Sequence, residues 1–185
     1  TPRVKQDIIT ELEMTNANIY QASFNRPNLT YRIVTKKNPF SQLHGYITQH
    51  QGEAGIIYCQ SRNTVESVAE KLREHNIKAL AYHAGLSADL RKRNQQAFIR
   101  ENTDVIVATI AFGMGIDKPN VRYVIHYNLP KSLEHYYQET GRAGRDGLPA
   151  ECVLFFSAGD RQKHGYFINA MSPEEQSKAW QKLDE

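Results

Sequence analysis

From residue 54 onward the chain alternates between two hydrophobic rhythms. Short unbroken apolar runs, such as AGIIYC (54–59), DVIVAT (104–109) and ECVLFF (151–156), are separated by stretches where apolar residues return every three to four positions. An unbroken apolar run of four to eight residues fits a strand buried on both faces, and the longer period fits a helix with one buried stripe. This reading places strands at 54–59, 78–82 (KALAY), 104–109, 121–128 (VRYVIHYN) and 151–156. Helices fall between them. Asn63 with Glu66 has the spacing of a capping box and opens a helix over 64–75. Ser87 caps a helix that runs to about Arg100, and Pro130 with Ser132 opens another through LEHYYQET. Upstream, 3–13 reads as helix, LTYRIV (29–34) as strand and 39–50 as helix, with FNRPN (24–28) as a turn-rich connector. Ser172, Pro173, Glu174 and Glu175 begin a last helix. Strands alternating with helices predict an α/β fold, with a mainly parallel sheet flanked by helices on both faces.

Composition narrows the class only slightly. A chain of 185 residues fits one domain, and 40% hydrophobic content can supply its core. The net charge of +3 permits a nucleic-acid partner without requiring one. No apolar run approaches the ~20 residues of a membrane span. TPRVKQDIITELEM lacks the apolar centre of a signal peptide. Cys59 and Cys152 sit in apolar runs and read as packed, reduced thiols. The expected compartment is therefore the cytoplasm or nucleus, with no membrane partner. The seven histidines show no HxxH or HExxH spacing, so no metal site is expected.

Two familiar phosphate-binding patterns fail. GMG at 113–115 follows a strand, as a dinucleotide fingerprint would, but Lys118 holds the third glycine position and Pro119 follows. No helix opens there to receive a pyrophosphate. "GK" never occurs, so there is no GxxxxGK[ST] loop, and the only Asp-Glu pair is Asp184-Glu185. Alone, the chain lacks the usual groups for holding ATP and Mg²⁺.

The unusual stretch is GRAGRDG (141–147), with three glycines and two arginines in seven residues. A glycine within a helix costs ~1 kcal/mol relative to alanine, so Gly141 reads as a helix end. Arg142 and Arg145 then lie in or just after the last turn, where basic residues complement the helix dipole. That accounts for one arginine. A second, separated from the first by small residues, suits a bulky polyanion whose phosphate oxygens take bidentate guanidinium bonds.

YYQETGRAGRDG resembles motif VI of superfamily 2 helicases, in the form typical of the RecQ family of DNA helicases. IIYCQSRNTVESVA (56–69) resembles motif IV, and AYHAGLSADLR (81–91) the family segment that follows it. VIVATIAFGMGIDKPNVRYVIHYNLP (105–130) is similar to motif V and its next strand, and SFNRPNLTYRIV (23–34) to the opening of the second motor lobe. The resemblance covers about residues 23–160. It implies a RecA-like three-layer fold. Residues 1–22 would be the tail of a first lobe or a linker, and 23–171 the second lobe. Residues 172–185 would be a helix leading toward a zinc-binding subdomain that the sequence does not include.

The same resemblance assigns roles. ATP would sit between two lobes, with Arg145 as arginine finger, Arg142 beside it, and Gln138 and Asp117 near the nucleotide. Motifs IV and V would contact the DNA backbone through Ser61, Arg62, His83, Ala84, Gly85 and Thr109. These residues follow strand C-termini, the edge of a parallel sheet where ligands usually bind. Helix 132–141 returns against strand 121–128, so Asp117, Arg142 and Arg145 should gather at the other edge, with residues 109–117 spanning the gap. Cys59 and His126 read as core, and Phe112, Tyr136 and Tyr137 as packing groups.

The expected function is the second lobe of an ATP-dependent 3′–5′ DNA helicase. The full-length enzyme would use ATP and Mg²⁺, with the first RecA-like lobe in cis and single-stranded or partly duplex DNA as partners. The lone lobe is expected to be a monomer, without bound cofactor and without ATPase. A stand-alone nucleic-acid-binding module, or the second lobe of a related RNA or chromatin motor, are the alternatives.

Overall fold

The computed structural model describes residues 2–14, 25–113 and 116–160. The helix expected at 172–185, Met114 and Gly115 of the GMG turn, and Ser23 and Phe24 lie outside the described residues. The elements run α1 (Pro2–Glu11), β1 (Leu29–Thr35), α2 (Pro39–Gln49), β2 (Ala54–Tyr58), α3 (Arg62–Glu74), β3 (Ala79–Tyr82), α4 (Ala88–Ile99), β4 (Val105–Ala108), β5 (Val121–His126), α5 (Leu133–Thr140) and β6 (Ala150–Phe156). The strands form one six-stranded sheet in the order β1-β6-β5-β2-β4-β3, with every pair parallel. β2 and β4 are central, which is why their sequences read as continuous apolar runs rather than alternating ones.

Each sheet face has its own core. Leu43 and Ile47 of α2 and Val65, Val68 and Leu72 of α3 pack on Ile57, Val105, Val107, Tyr123 and Ile125. Phe98 of α4, Phe112, Ile116 and Ala143 pack on Ile56, Ile106, Val124 and Cys152 of the opposite face. Two faces covered by helices make the three layers of a RecA-like fold. Both cysteines are buried and free. Burial pushes both thiols up, Cys152 to about 12.

One boundary differs from expectation. α3 begins at Arg62, and its cap is Ser61, whose hydroxyl accepts the Thr64 N–H at 3.1 Å. Asn63 lies inside the first turn. Glu66 does not close a capping box but bonds the His83 ring at 2.7 Å. Ser61 and Asn63 are both good caps, and here the tie goes to the residue nearer the strand. Ser87 and Ser132 cap α4 and α5 as expected, accepting from Leu90 N–H and His135 N–H.

Candidate nucleotide and nucleic-acid site

α5 starts near the strand C-termini and runs back across the sheet. Buried Glu139 anchors it, accepting from His126 Nε2–H of β5 at 2.6 Å. His126 Nδ1 is buried without a partner. Sequence order hides this pairing, because either residue alone reads as a core or surface position. Thr140 Oγ1 donates back to Tyr136 O, and the helix ends at Gly141 as the sequence predicts.

The chain then turns tightly. Gly144 has φ +52°, and a Cβ there would sit 2.6 Å from Asn28 Nδ2 and 2.8 Å from Leu148 O. Only glycine fits both the backbone angle and the space. Its N–H donates to Val121 O, and its carbonyl accepts from Arg26 and Asn28. The arginine loop is thereby fixed at the N-terminal end of β5.

Both arginines are held by backbone carbonyls. Arg142 Nη1 donates to Gly113 O at 2.5 Å, while its buried Nε has no partner. Arg145 Nη1 donates to Ile116 O at 2.9 Å and meets Asp117 Oδ1 at 3.2 Å. The Arg145 side chain is 36% exposed and that of Asp117 87%. Asp146, which follows Arg145, is held by a different residue, Arg122. Both its oxygens take Arg122 Nη2, at 2.7 and 2.6 Å, and that bond holds its carboxyl below the ordinary range. Gln138 is exposed one turn before Arg142.

Residues 109–113 and 116–117 lie between the two edges. Thr109 N–H donates to Tyr82 O at the C-terminal end of β3, and Ile116 O lies under Arg145. In between, Tyr58 of β2 donates to Phe112 O at 2.8 Å. Phe112 is buried against Tyr82 and Phe98, a packing residue. Tyr136 and Tyr137 lie against each other and Tyr31, although Tyr137 remains exposed. Lys118 is buried, paired with Glu101 and set over the Phe98 ring, which the sequence did not foretell.

The second group sits at the ends of β2, β3 and β4. Arg62 is exposed, makes no ion pair among the described residues, and passes over Gly85. Ala84 and Gly85 are exposed. Ser61 spends its hydroxyl on the helix cap. His83 is buried, with a 7% exposed side chain. Its Nδ1 accepts Gly85 N–H and its Nε2–H donates to Glu66, so no ring nitrogen remains for a ligand. Thr109 is half-buried, its hydroxyl accepting Ala111 N–H. A cavity of about 90 Å³ opens beside this group, between Gln60, Thr109, Ile110 and residues 128–131. There the chain leaves β2 toward β3 and leaves β5 toward β6, the switch point where open α/β sheets bind ligands. The structure thus brings Asp117 and Arg145 together with Arg142 nearby, and keeps them from Ser61, Arg62, residues 83–85 and Thr109.

The helicase conserved C-terminal domain matches residues 36–147. The ATP-dependent DNA helicase RecQ of Haemophilus influenzae is 54% identical over 156 residues, which is 84% of this chain and 25% of that protein. The Bacillus subtilis protein of the same name is 42% identical over 96% of this chain and 30% of its own length. A RecQ-like DNA helicase BLM from Xenopus laevis is 51% identical over 86% of this chain and 12% of its own length. The chain spans about a quarter of the bacterial relatives it matches. No helix among the described residues is long and apolar enough to cross a membrane. The chain belongs to the helicase conserved C-terminal domain family, and its sequence is that of a RecQ-type second lobe.

Proposed function

We propose that the chain is the C-terminal motor lobe of an ATP-dependent 3′–5′ DNA helicase. In this reading it supplies Arg145 to ATP held by a first lobe and grips the backbone of single-stranded or partly duplex DNA. The observation that carries it is the Arg145–Asp117 pair. An exposed ion pair of this kind contributes little stability, ~0–1 kcal/mol. Arg145 is nevertheless positioned by Ile116 O, so its remaining N–H donors are available to an anion. A phosphate would displace Asp117, which becomes free to accept from a ribose hydroxyl. Arg142 fixes residue 113, and Gln138 on the same helical face faces the same nucleotide. ATP and its Mg²⁺ would be bound by the first lobe, because this sequence has no lysine-bearing phosphate loop. The lone chain would then be an inactive monomer as an ATPase.

On the other edge, Arg62, Thr109 and the exposed backbone of 84–85 would hold phosphates without reading bases. Ser61 and His83 act here by shaping the loops, one as a cap and the other by bonding Gly85 N–H. Residues 109–113 and 116–117 lie between the two edges, which would give nucleotide state a route to strand grip.

The test is Arg145→Ala in the longer protein. Loss of an arginine finger lowers kcat by about 10³–10⁵, with single-stranded DNA affinity nearly unchanged. Arg145→Lys should not restore turnover, since an ammonium lacks the planar fork. A variant that keeps its ATPase but loses DNA would reverse the two edges. If the gene encodes no nucleotide-binding lobe, the chain is a binding module instead.

A further inference from the structure

Tyr58 is the last residue of β2, paired in register with Ala108 of β4 and His126 of β5. The residues just after it, 60–62, belong to the loop proposed to meet the DNA backbone. Its side chain is buried in the same cluster as Phe112 and Ala143, on the sheet face that carries the arginine loop. A phenylalanine would fill this space without bringing a hydroxyl that needs a partner. The hydroxyl is therefore the feature to explain.

It donates to Phe112 O at 2.8 Å. The Arg142 guanidinium lies beside the same oxygen. Burial pushes the phenol pKa up and the Arg142 charge works against that shift, so the group stays a neutral donor. Arg142 Nη1 in turn donates to Gly113 O, the next carbonyl along the chain. A Cβ at residue 113 would sit 2.9 Å from Arg142 Nη2, so the guanidinium packs directly on this backbone. One hydroxyl and one guanidinium thus hold two consecutive carbonyls. The Tyr58 ring makes a second link. It stacks on His126, with centroids 5.5 Å apart and planes at 24°. His126 bonds Glu139, three residues before Arg142. Upstream, Phe112 N–H donates to Thr109 O at 3.0 Å and Ala111 N–H to the Thr109 hydroxyl, which makes residues 109–112 a closed turn.

We propose that Tyr58 is a positioning residue whose hydroxyl ties the placement of Arg142 to the turn at Thr109, so that strand binding at that turn regulates turnover. This rests on the motor reading given above and names a residue through which its two edges communicate. Tyr58 is 3% exposed, so it meets neither nucleotide nor strand itself. A strand on Thr109 fixes the turn, the turn fixes the Phe112 and Gly113 carbonyls, and those carbonyls fix Arg142. Removing the hydroxyl leaves each edge with its own contacts and loosens the tie between them.

Steady-state ATPase of the longer protein, with and without saturating single-stranded DNA, tests this through Tyr58→Phe. That variant keeps the ring and its stack on His126 and removes only the hydroxyl, so it should fold. Its DNA-stimulated kcat should fall about five- to tenfold, the contribution of one hydrogen bond. Turnover without DNA, KM for ATP and affinity for DNA should each change by less than about twofold, because no ligand contact is lost. A variant that is merely less stable loses active enzyme, which lowers both rates in the same proportion. An unchanged ratio of stimulated to unstimulated turnover therefore overturns the proposal. A double-mutant cycle supplies the second measurement. In an Arg142→Ala background, Tyr58→Phe should change the stimulated kcat by less than about twofold, since coupled residues do not add. Additive losses would show that Tyr58 does not act through Arg142 and would also overturn the proposal. Wild-type protein with no DNA-stimulated turnover would overturn the motor reading and this proposal with it. Stimulation that is normal in wild type and intact in Tyr58→Phe sinks the proposal alone.

Discussion

The two edges of this sheet are built by opposite rules. At the arginine edge, side chains and backbone groups from distant segments fix one another: Gly113 O holds Arg142, Ile116 O holds Arg145, and Arg26 and Asn28 hold Gly144 O. At the strand C-termini the candidate contacts are mostly exposed, and their polar side chains serve the loop itself, as Ser61 and His83 do. The difference suits the proposed partners. A transferred phosphoryl group needs donors already in place, whereas a sliding strand needs several weak, replaceable contacts.

Substitutions can break or sharpen this contrast, beginning with the most damaging. Gly144→Ala forces a Cβ into the left-handed region and against Leu148 O and Asn28. It should cost about 2–4 kcal/mol by thermal or denaturant unfolding. A neutral result would show that the arginine turn is not held as tightly as its bonds imply. Glu139→Ala leaves His126 buried and unpaired at both ring nitrogens. A loss of about 1–3 kcal/mol is expected, and Glu139→Gln should recover much of it. If the two variants unfold alike, shape rather than the hydrogen bond anchors α5.

On the other edge the effects should shrink. Ser61→Ala removes a cap and should cost ~1 kcal/mol, whereas Asn63→Ala should cost little, the reverse of what capping-box spacing suggests. Arg62→Ala should leave stability within about 0.5 kcal/mol, as for most surface changes. Its signature is instead in DNA binding, where the slope of log K against log salt should flatten by ~0.7. A steeper slope than wild type, or a strong change in base preference, would contradict a backbone contact at this position.

Much of the architecture is legible in the sequence because the signals are local. Three strands read as unbroken apolar runs since β2, β4 and most of β6 are buried on both faces, and Ser87 and Ser132 sit where caps belong, whereas the cap of α3 is Ser61 rather than Asn63. Gly141 likewise ends α5. The charged contacts are less legible because their partners are remote. Asp146 sits next to Arg145 in the sequence, but its partner is Arg122, twenty-four residues earlier. His83 looks available until Glu66 and Gly85 take both ring nitrogens. Spacing cannot reveal a bond that only sheet order creates.

The pairing of β1 with β6 has a consequence in time. Leu29 and Ala150 are register partners although about 120 residues separate them. On a ribosome adding ~5–20 residues per second, β1 waits roughly 6–24 s for β6. During that interval its whole ladder edge is open, and Tyr31 and Ile33 lie along it. The newborn chain is therefore most exposed to wrong partners just before its last strand arrives, and a chaperone acting on this lobe would have its best target there.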